Sequence, residues 1–238
     1  MRPYYEHGGI TVFHGDCREI LPLLERVDHV ITDPPYAARA MKNFRSGSTI
    51  KQYRDGEIRD FGYEALDEDL RRDSAREMVR LCGRWLLVWS DIENAHLWRR
   101  DLECAGARYI RTGVWVREHA APQFSGDRPA QGVEACVITH HAKERLAWNG
   151  GGRPATWIGP IVNSQGERFE HTSPKPLWLM KQLIADFTNP DDLILDPFAG
   201  SLTTLVAAKA LGRRAIGIEI EEKFIEAGLK RLSQEVLL

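Results

Sequence analysis

The sequence predicts an α/β protein with a doubly wound, mostly parallel β-sheet. Short runs of β-branched and aromatic residues alternate with segments of helical periodicity, and this alternation is typical of that architecture. The predicted strands are Ile10–Phe13, His29–Thr32, Trp85–Trp89, Tyr109–Val116, Val133–Thr139, Leu193–Asp196 and Arg214–Glu219. The predicted helices lie near Arg18–Arg26, Glu68–Cys82, Glu93–Cys104, Lys175–Asp186, Thr203–Leu211 and Glu222–Val236.

The length of 238 residues fits a single domain, and two segments interrupt its regular pattern. Residues 37–62 are polar, basic and punctuated by glycine. Residues 141–173 contain the run Asn149–Gly152 and several prolines. Long loops within a domain often carry function. We therefore expect both segments to be irregular, the second as an insertion on the domain.

Composition indicates an ordinary intracellular protein, with 43% hydrophobic and 28% charged residues. The longest apolar run, Trp85–Trp89, is too short to cross a membrane, and the N-terminal residues lack a signal-peptide core. We expect a cytoplasmic protein with no membrane partner. The cysteines are scattered, so neither a disulfide framework nor a metal site is predicted. They are Cys17, Cys82, Cys104 and Cys136.

A basic segment follows the second predicted strand. The net charge of −2 by itself argues against a nucleic-acid partner, but the distribution of charge matters more than its total. From Tyr36 to Arg54 the chain has basic residues and no acidic one. This segment is either a solvated loop or a contact for nucleic-acid phosphates. Its basic residues are Arg39, Lys42, Arg45, Lys51 and Arg54.

The strongest local signal is Asp33-Pro34-Pro35-Tyr36, directly after a β-branched strand. Prolines restrict the turn and lack a backbone donor, which leaves carbonyl groups available as acceptors. The Asp33 carboxylate and the Pro34 carbonyl can both accept hydrogen bonds from an amino group, while Tyr36 offers a flat stacking surface. This combination predicts a site for the exocyclic amine of a nucleobase. The alternative is a strand that ends in a tight structural turn.

A second signal joins two strands that each end in an acid. Leu193–Asp196 leads through a loop of mostly small residues into a helix, and the next strand ends at Glu219, 19 residues after Gly200. This βαβ arrangement is typical of nucleotide sites, with the second acid placed for ribose hydroxyls. The sequence lacks G-x-G-x-x-G, the cradle for a pyrophosphate. The pattern therefore favours a phosphate-free cofactor, S-adenosylmethionine.

Together these elements resemble the amino-methylating DNA methyltransferases, which act on adenine N6 or cytosine N4, and specifically the group with permuted motif order. In that group D-P-P-Y comes before the target-recognition region, and the F-x-G-x-G cofactor loop lies near the C-terminus. This sequence has the same order across nearly its whole length. Further elements that look similar are Gly15-Asp16, the segment from His171 to Pro176, Val114–Arg117 and Gly132–Glu134.

The resemblance implies the Rossmann-like methyltransferase fold in one domain, 1–238. Its parts would be a catalytic half, 1–140, a recognition insertion, 141–173, and a cofactor-binding half, 174–238. It also implies a catalytic site of Asp33, Pro34, Pro35 and Tyr36, with no metal. The implied cofactor-binding residues are Asp16, Cys17, Asp33, His171, Lys175, Asp196, Pro197, Phe198, Gly200, Ser201, Thr203, Glu219 and Ile220.

The activity implied is methyl transfer from S-adenosylmethionine to adenine N6 in double-stranded DNA, after the base has flipped out of the helix. Cytosine N4 is the alternative target, although enzymes of that kind more often carry serine in place of Asp33. A non-catalytic DNA-binding homologue is the alternative outside the class. The resemblance further suggests a homodimer and a cognate restriction enzyme as partners, and a nucleoid-associated location in a bacterial or phage-infected cell.

One position departs from the family pattern. The cofactor loop usually reads F-x-G-S-G, and here Leu202 replaces the last glycine. If the position requires a positive φ, leucine costs roughly 1 kcal/mol or more. If it is merely the first helical residue, leucine is harmless. From the sequence we expect Leu202→Gly to retain activity.

Overall fold

The computed structural model describes residues 1–35, 68–118, 120, 122, 125–161 and 174–234. Within these residues nine strands form one sheet. The strands are β1 Tyr5–His7, β2 Ile10–His14, β3 His29–Thr32, β4 Trp85–Ser90, β5 Arg108–Glu118, β6 Val133–His140, β7 Thr156–Pro160, β8 Leu193–Asp196 and β9 Arg214–Glu219.

Helices connect most of these strands. The α-helices are α1 Cys17–Ile20, α2 Glu68–Leu81, α3 Ala95–Cys104, α4 Leu177–Phe187, α5 Thr203–Ala210 and α6 Glu222–Gln234. A short 3-10 helix, Leu21–Leu23, follows α1. In the described part of the chain, no helix is long and apolar enough to cross a membrane.

The strand order is β1-β2-β9-β8-β3-β4-β6-β5-β7. The central strands β2, β9, β8, β3 and β4 run parallel to one another, and β7 runs parallel to β5. The strand β1 pairs antiparallel with β2, and β6 pairs antiparallel with both β4 and β5. Two strands from the end of the chain, β8 and β9, thus lie between two from its beginning, β2 and β3. The mostly parallel sheet predicted from the sequence is confirmed.

Both faces of the sheet are covered by helices, which makes the fold doubly wound. One buried cluster joins the sheet to α4, α5 and α6 through Leu183, Leu205 and Ile225. The other joins the opposite face to α2 and α3 through Met78 and Trp98. Along β4 successive side chains alternate between the two clusters, as expected of a strand buried on both faces.

The structure differs from the sequence prediction in three elements. The helix predicted at Arg18–Arg26 stops at Ile20, because Pro22 lacks the backbone donor that an α-helix needs. The strand β1 was not predicted, since its three residues are polar and mainly exposed. The strand β7 lies inside residues 141–173, which were predicted to be irregular, and it pairs with β5. Glycines and a proline before β7, and Gly159 and Pro160 at its end, obscure its pattern.

Candidate active site

The acidic residues singled out in the sequence gather at one edge of the sheet. The strands β2, β9, β8 and β3 run parallel, so their carboxyl ends lie together. Glu219 ends β9 opposite His14 of β2, and Asp196 ends β8. Asp33 follows β3 directly, and Thr32 donates a hydrogen bond of 2.7 Å to Asp196 Oδ1. The two predicted motifs therefore form one site.

Asp196 holds the loop that follows β8. Its Oδ1 also accepts from the backbone N–H of Phe198, and its Oδ2 accepts from the hydroxyl of Thr204 at 2.5 Å. Burial raises the pKa of Asp196 to about 6. With both oxygens occupied, this carboxylate fixes the shape of the loop and ties it to β3.

Glu219 holds the same loop from the other side. Its Oε2 accepts from the backbone N–H of Gly200 at 2.7 Å, and its Oε1 accepts from the N–H of Glu221 at 2.9 Å. Burial raises the pKa of Glu219. Ile220, next in sequence, exposes 55% of its surface and offers an apolar face beside this acid. An acid with an adjacent apolar surface suits a ribose and its attached base.

Leu202 has a left-handed backbone, with a φ of 60°, and its side chain is fully buried. The position therefore requires a positive φ and is not an ordinary first residue of α5. The side chain fills space that Gly228 of α6 leaves open, because a Cβ on Gly228 would lie 2.3 Å from Leu202 Cγ. This burial predicts a loss of stability in Leu202→Gly, in addition to the retained activity expected from the sequence.

Arg231 of α6 supports the turn around Leu202. Its Nη1 donates to the carbonyl of Ser201 at 3.0 Å and to the hydroxyl of Thr203 at 2.9 Å, and the residue is 8% exposed. The hydroxyl of Ser201 is buried and has no hydrogen-bond partner among the described residues. The loop is thus held from behind while one polar group is left for a ligand.

Asp33 is bound by a buried lysine. The Nζ of Lys175 lies 2.6 Å from Asp33 Oδ2 and 2.9 Å from Glu134 Oε2, so the ammonium bridges two carboxylates. Burial raises the pKa of Asp33, and the Lys175 charge opposes that rise. Within the described chain the other oxygen, Oδ1, is buried without a hydrogen-bond partner. Asp33 therefore presents one unused acceptor.

Four further predicted residues lie in the described part of the site. Asp16 caps α1 by accepting from the backbone N–H of Arg18, whose side chain also lowers the pKa of this carboxyl. Cys17 is buried, which raises its thiol pKa to about 11, so the sulfur is not a reactive group. Pro197 is buried under the loop, whereas Phe198 is only partly covered.

Several predicted site residues lie outside the described residues. They are Tyr36, His171 and the basic residues Arg39, Lys42, Arg45, Lys51 and Arg54.

The sequence prediction did not assign roles to Arg117, Glu134 or Arg231. Arg117 and Glu134 occur in the segments that resemble the family's later strands. Their ion pair depends on how β5 and β6 align in the sheet, which the sequence does not give. The available signal was a charged residue next to an apolar run in each strand, Arg117 after Val114–Val116 and Glu134 before Ala135–Ile138. Arg231 lies in a helix whose exposed face is also rich in charge, which hides it.

The edge fits a nucleoside cofactor on the geometry of its own residues. Glu219, Ile220 and the loop around Gly200 form one side, and this loop carries the buried hydroxyl of Ser201, which has no hydrogen-bond partner among the described residues. The Oδ1 atom of Asp33 belongs to the end of the adjoining strand β3. Gly200 has a φ of 50°, so a β-carbon would be strained there. The described residues contain no group of three or more His, Cys, Asp or Glu arranged to hold a metal ion.

The doubly wound sheet with acids at its carboxyl edge places the protein among the α/β proteins that bind a nucleotide or nucleoside at the ends of their strands. A family model described as DNA methylase, of the N6/N4 type, matches residues 27–230. The chain therefore belongs to this family, and the amino-methylating DNA methyltransferase family predicted from the sequence is confirmed.

Individual relatives agree with this assignment. The chain is 31% identical to the DNA adenine methyltransferase YhdJ of Escherichia coli K12, over 93% of this chain and 82% of that protein. It is 26% identical to the type II methyltransferase M2.DpnII of Streptococcus pneumoniae, over 98% and 93% of the two chains.

Solved structures share the fold. The complex of M1.HpyAVI with SAM superposes with a TM-score of 0.71 at 25% identity, covering 94% of this chain and 98% of that one. The cytosine-N4-specific PvuII methyltransferase superposes with a TM-score of 0.76, covering 97% and 88%, but its identity of 18% shows the fold alone. The predicted methyltransferase fold is confirmed.

Proposed function

We propose that the protein transfers a methyl group from S-adenosylmethionine to the N6 amine of adenine in double-stranded DNA. The observation that carries this proposal is Asp33, whose Oδ2 is held by Lys175 while Oδ1 remains a buried acceptor at the cofactor edge. An adenine amine has hydrogens to donate to such an acceptor. The relatives named as adenine and type II methyltransferases support the same substrate.

The residues act by holding the amine rather than by covalent chemistry. S-adenosylmethionine, when bound, supplies the methyl group and leaves as S-adenosylhomocysteine. The amine donates to Asp33 Oδ1 and to the Pro34 carbonyl, which directs the nitrogen lone pair away from these acceptors. With the cofactor bound, the nitrogen would bond to the methyl carbon as the bond from that carbon to sulfur breaks. The Asp33 carboxylate would stabilise the positive charge that develops on the nitrogen, and the amine would then lose one proton to water. Tyr36 stacks on the flipped base, a contact worth about 1–3 kcal/mol.

The remaining predictions form part of the same proposal. The chain divides into a catalytic half, 1–140, a recognition insertion, 141–173, and a cofactor-binding half, 174–238. Asp16, Ile220, Glu219 and the loop after β8 hold S-adenosylmethionine. The protein acts on DNA in the cytoplasm, in association with the nucleoid. Its proposed protein partners are a second copy of itself and a cognate restriction enzyme.

The direct test is to identify the product. The purified protein is incubated with unmethylated DNA and S-adenosylmethionine, and the DNA is digested to nucleosides for mass spectrometry. We expect N6-methyladenine, and sequencing of the modified strands then gives the recognition site. N4-methylcytosine in its place would assign the other amine. A protein that binds DNA but yields neither nucleoside would be a non-catalytic homologue.

Glu219→Ala should weaken S-adenosylmethionine binding by roughly 1.5–3 kcal/mol, the scale of hydrogen bonds from a ribose diol to a carboxylate. Calorimetric titration of the cofactor measures the change. The exposed acid Glu226 on α6 provides a control, since Glu226→Ala removes the same charge outside the site. An unchanged dissociation constant for Glu219→Ala would place the ribose elsewhere.

Replacing Arg39, Lys42 and Arg45 together by alanine should weaken DNA binding and flatten its dependence on salt. Each lost phosphate contact reduces the slope of log K against log salt by about one unit. Cofactor affinity should not change, because these residues are predicted to contact DNA phosphates and are not among the implied cofactor-binding residues. Fluorescence anisotropy with labelled DNA at several salt concentrations measures the slope.

The matched control removes three exposed arginines from α2 and α3, Arg72, Arg76 and Arg99. This variant loses the same net charge and should keep the original slope. If the two triple variants weaken DNA binding equally, the basic segment contributes only through the overall charge of the protein and makes no specific phosphate contacts. DNA recognition would then fall to residues 141–173.

A further inference from the structure

Four charged side chains form a continuous ionic chain that ends at the proposed catalytic carboxylate. Arg117 Nη1 lies 3.3 Å from Glu134 Oε1, Glu134 Oε2 lies 2.9 Å from Lys175 Nζ, and Lys175 Nζ lies 2.6 Å from Asp33 Oδ2. The charges alternate, so the chain is neutral as a whole. Its members come from β5, β6, the residues before α4 and the end of β3.

The chain is shielded from water. The side-chain exposures of Arg117, Glu134 and Lys175 are 15%, 12% and 6%. The ring of Trp89, itself fully buried, lies 5.7 Å from the Lys175 ammonium. In such surroundings charges interact more strongly than at the surface, and removing one partner is costly.

The far end of the chain is anchored to the backbone. Arg117 Nη2 donates to the carbonyl of Gln131 at 2.6 Å, and Arg117 N–H donates to the carbonyl of Gly132 at 2.9 Å. Through its ion pair with Arg117, the Glu134 side chain on β6 is held in place. The Glu134 carboxylate in turn holds the ammonium group of the long Lys175 side chain. The ammonium consequently has a fixed position relative to Asp33.

We propose that Lys175 is a positioning residue for Asp33, and that Glu134 and Arg117 act through it. The ammonium occupies Oδ2 and keeps the carboxylate ionised, so that Oδ1 alone is directed at the substrate amine. This role rests on the proposed methyl transfer and differs from a contact between Lys175 and S-adenosylmethionine. A protonated or rotated Asp33 would offer the amine a donor or a misplaced acceptor.

The test is a double-mutant cycle between Lys175→Met and Asp33→Asn, read by single-turnover methylation at saturating S-adenosylmethionine. Lys175→Met should lower the rate by about 10- to 50-fold in the wild-type background. In the Asp33→Asn background the same change should lower it less than about threefold, because residues that act as a unit are not additive. The cofactor dissociation constant should stay within about twofold throughout, since Lys175 acts on the carboxylate alone.

Two results would overturn the proposal. A large loss of cofactor affinity with a normal rate at saturation would make Lys175 a cofactor contact. Equal effects of Lys175→Met in both backgrounds would make it a structural lysine. The control Lys230→Met, at an exposed position of α6, should be silent. Activity of the unmodified protein, measured in the same assay, tests the proposed function separately.

Glu134→Gln provides the second route if Lys175→Met does not fold. The amide keeps the shape of the side chain and removes only the charge that holds the ammonium. It should lower the rate several-fold, again only when Asp33 is present. If the Glu134→Gln variant keeps the wild-type rate, Glu134 does not act on Asp33 through Lys175, and that part of the proposal is wrong.

Discussion

Asp33→Ala should lower the rate of methyl transfer by about 10²–10³-fold, the loss seen when one preorganised electrostatic partner of a transition state is removed. The proposed geometry directs its free oxygen at the base amine, so cofactor affinity should remain within a few-fold of normal. Single-turnover methylation and calorimetric cofactor binding on the same preparation separate the two quantities. Asp69→Ala, at an exposed acid of α2, is the matched control.

Asp33→Asn distinguishes charge from shape. The amide retains an oxygen acceptor but no longer balances the Lys175 charge, so a rate close to that of the alanine variant would assign the effect to the carboxylate charge. A near-normal rate in Asp33→Ala would remove this residue from the mechanism. The D-P-P-Y element would then be a structural turn.

Leu202→Gly should destabilise the protein by about 1–4 kcal/mol. Removing a buried leucine side chain costs roughly 2–5 kcal/mol through lost burial and the cavity it leaves. Relief of the left-handed backbone returns only about 1 kcal/mol. Gly228→Ala should also destabilise, by about 1–3 kcal/mol, because the new methyl group would overlap Leu202 Cγ. Urea unfolding followed by circular dichroism measures both changes.

The two substitutions should compensate for each other. In the double variant the alanine methyl group occupies part of the space that the leucine vacates, so the combined loss should be smaller than the sum by at least about 1 kcal/mol. Strictly additive losses would mean that the two side chains do not share that space. Compensation would explain how this chain dispenses with a glycine that its family usually has.

The sequence predicted correctly which candidate site residues lie at the carboxyl ends of strands. Apolar runs that end at Asp33, Asp196 and Glu219 predicted three parallel strands, and parallel strands bring their carboxyl ends together without further information. The same reasoning did not reach the contact of Lys175 with Asp33, because the residues before α4 give no direction for the lysine side chain. Contact between residues 142 positions apart depends on the whole sheet.

Local chemistry also explains the other differences. Pro22 stops a helix whose apolar spacing continues beyond it, so periodicity alone overestimated its length. Gly228 occurs inside a periodic helix, where glycine normally weakens a helical prediction. Its reason is the volume of Leu202, which lies in a different element, and a single sequence does not connect the two positions.

The position of β8 and β9 between β2 and β3 has a consequence during synthesis. Until residues 193–219 have left the ribosome, β2 and β3 each have one edge without its native neighbour. Open strand edges can pair with other chains, and contacts between distant residues form slowly. The nascent chain therefore depends on its last two strands to close the sheet. A ribosome stalled before residue 193 would hold an incomplete sheet that is prone to aggregate and recruits chaperones.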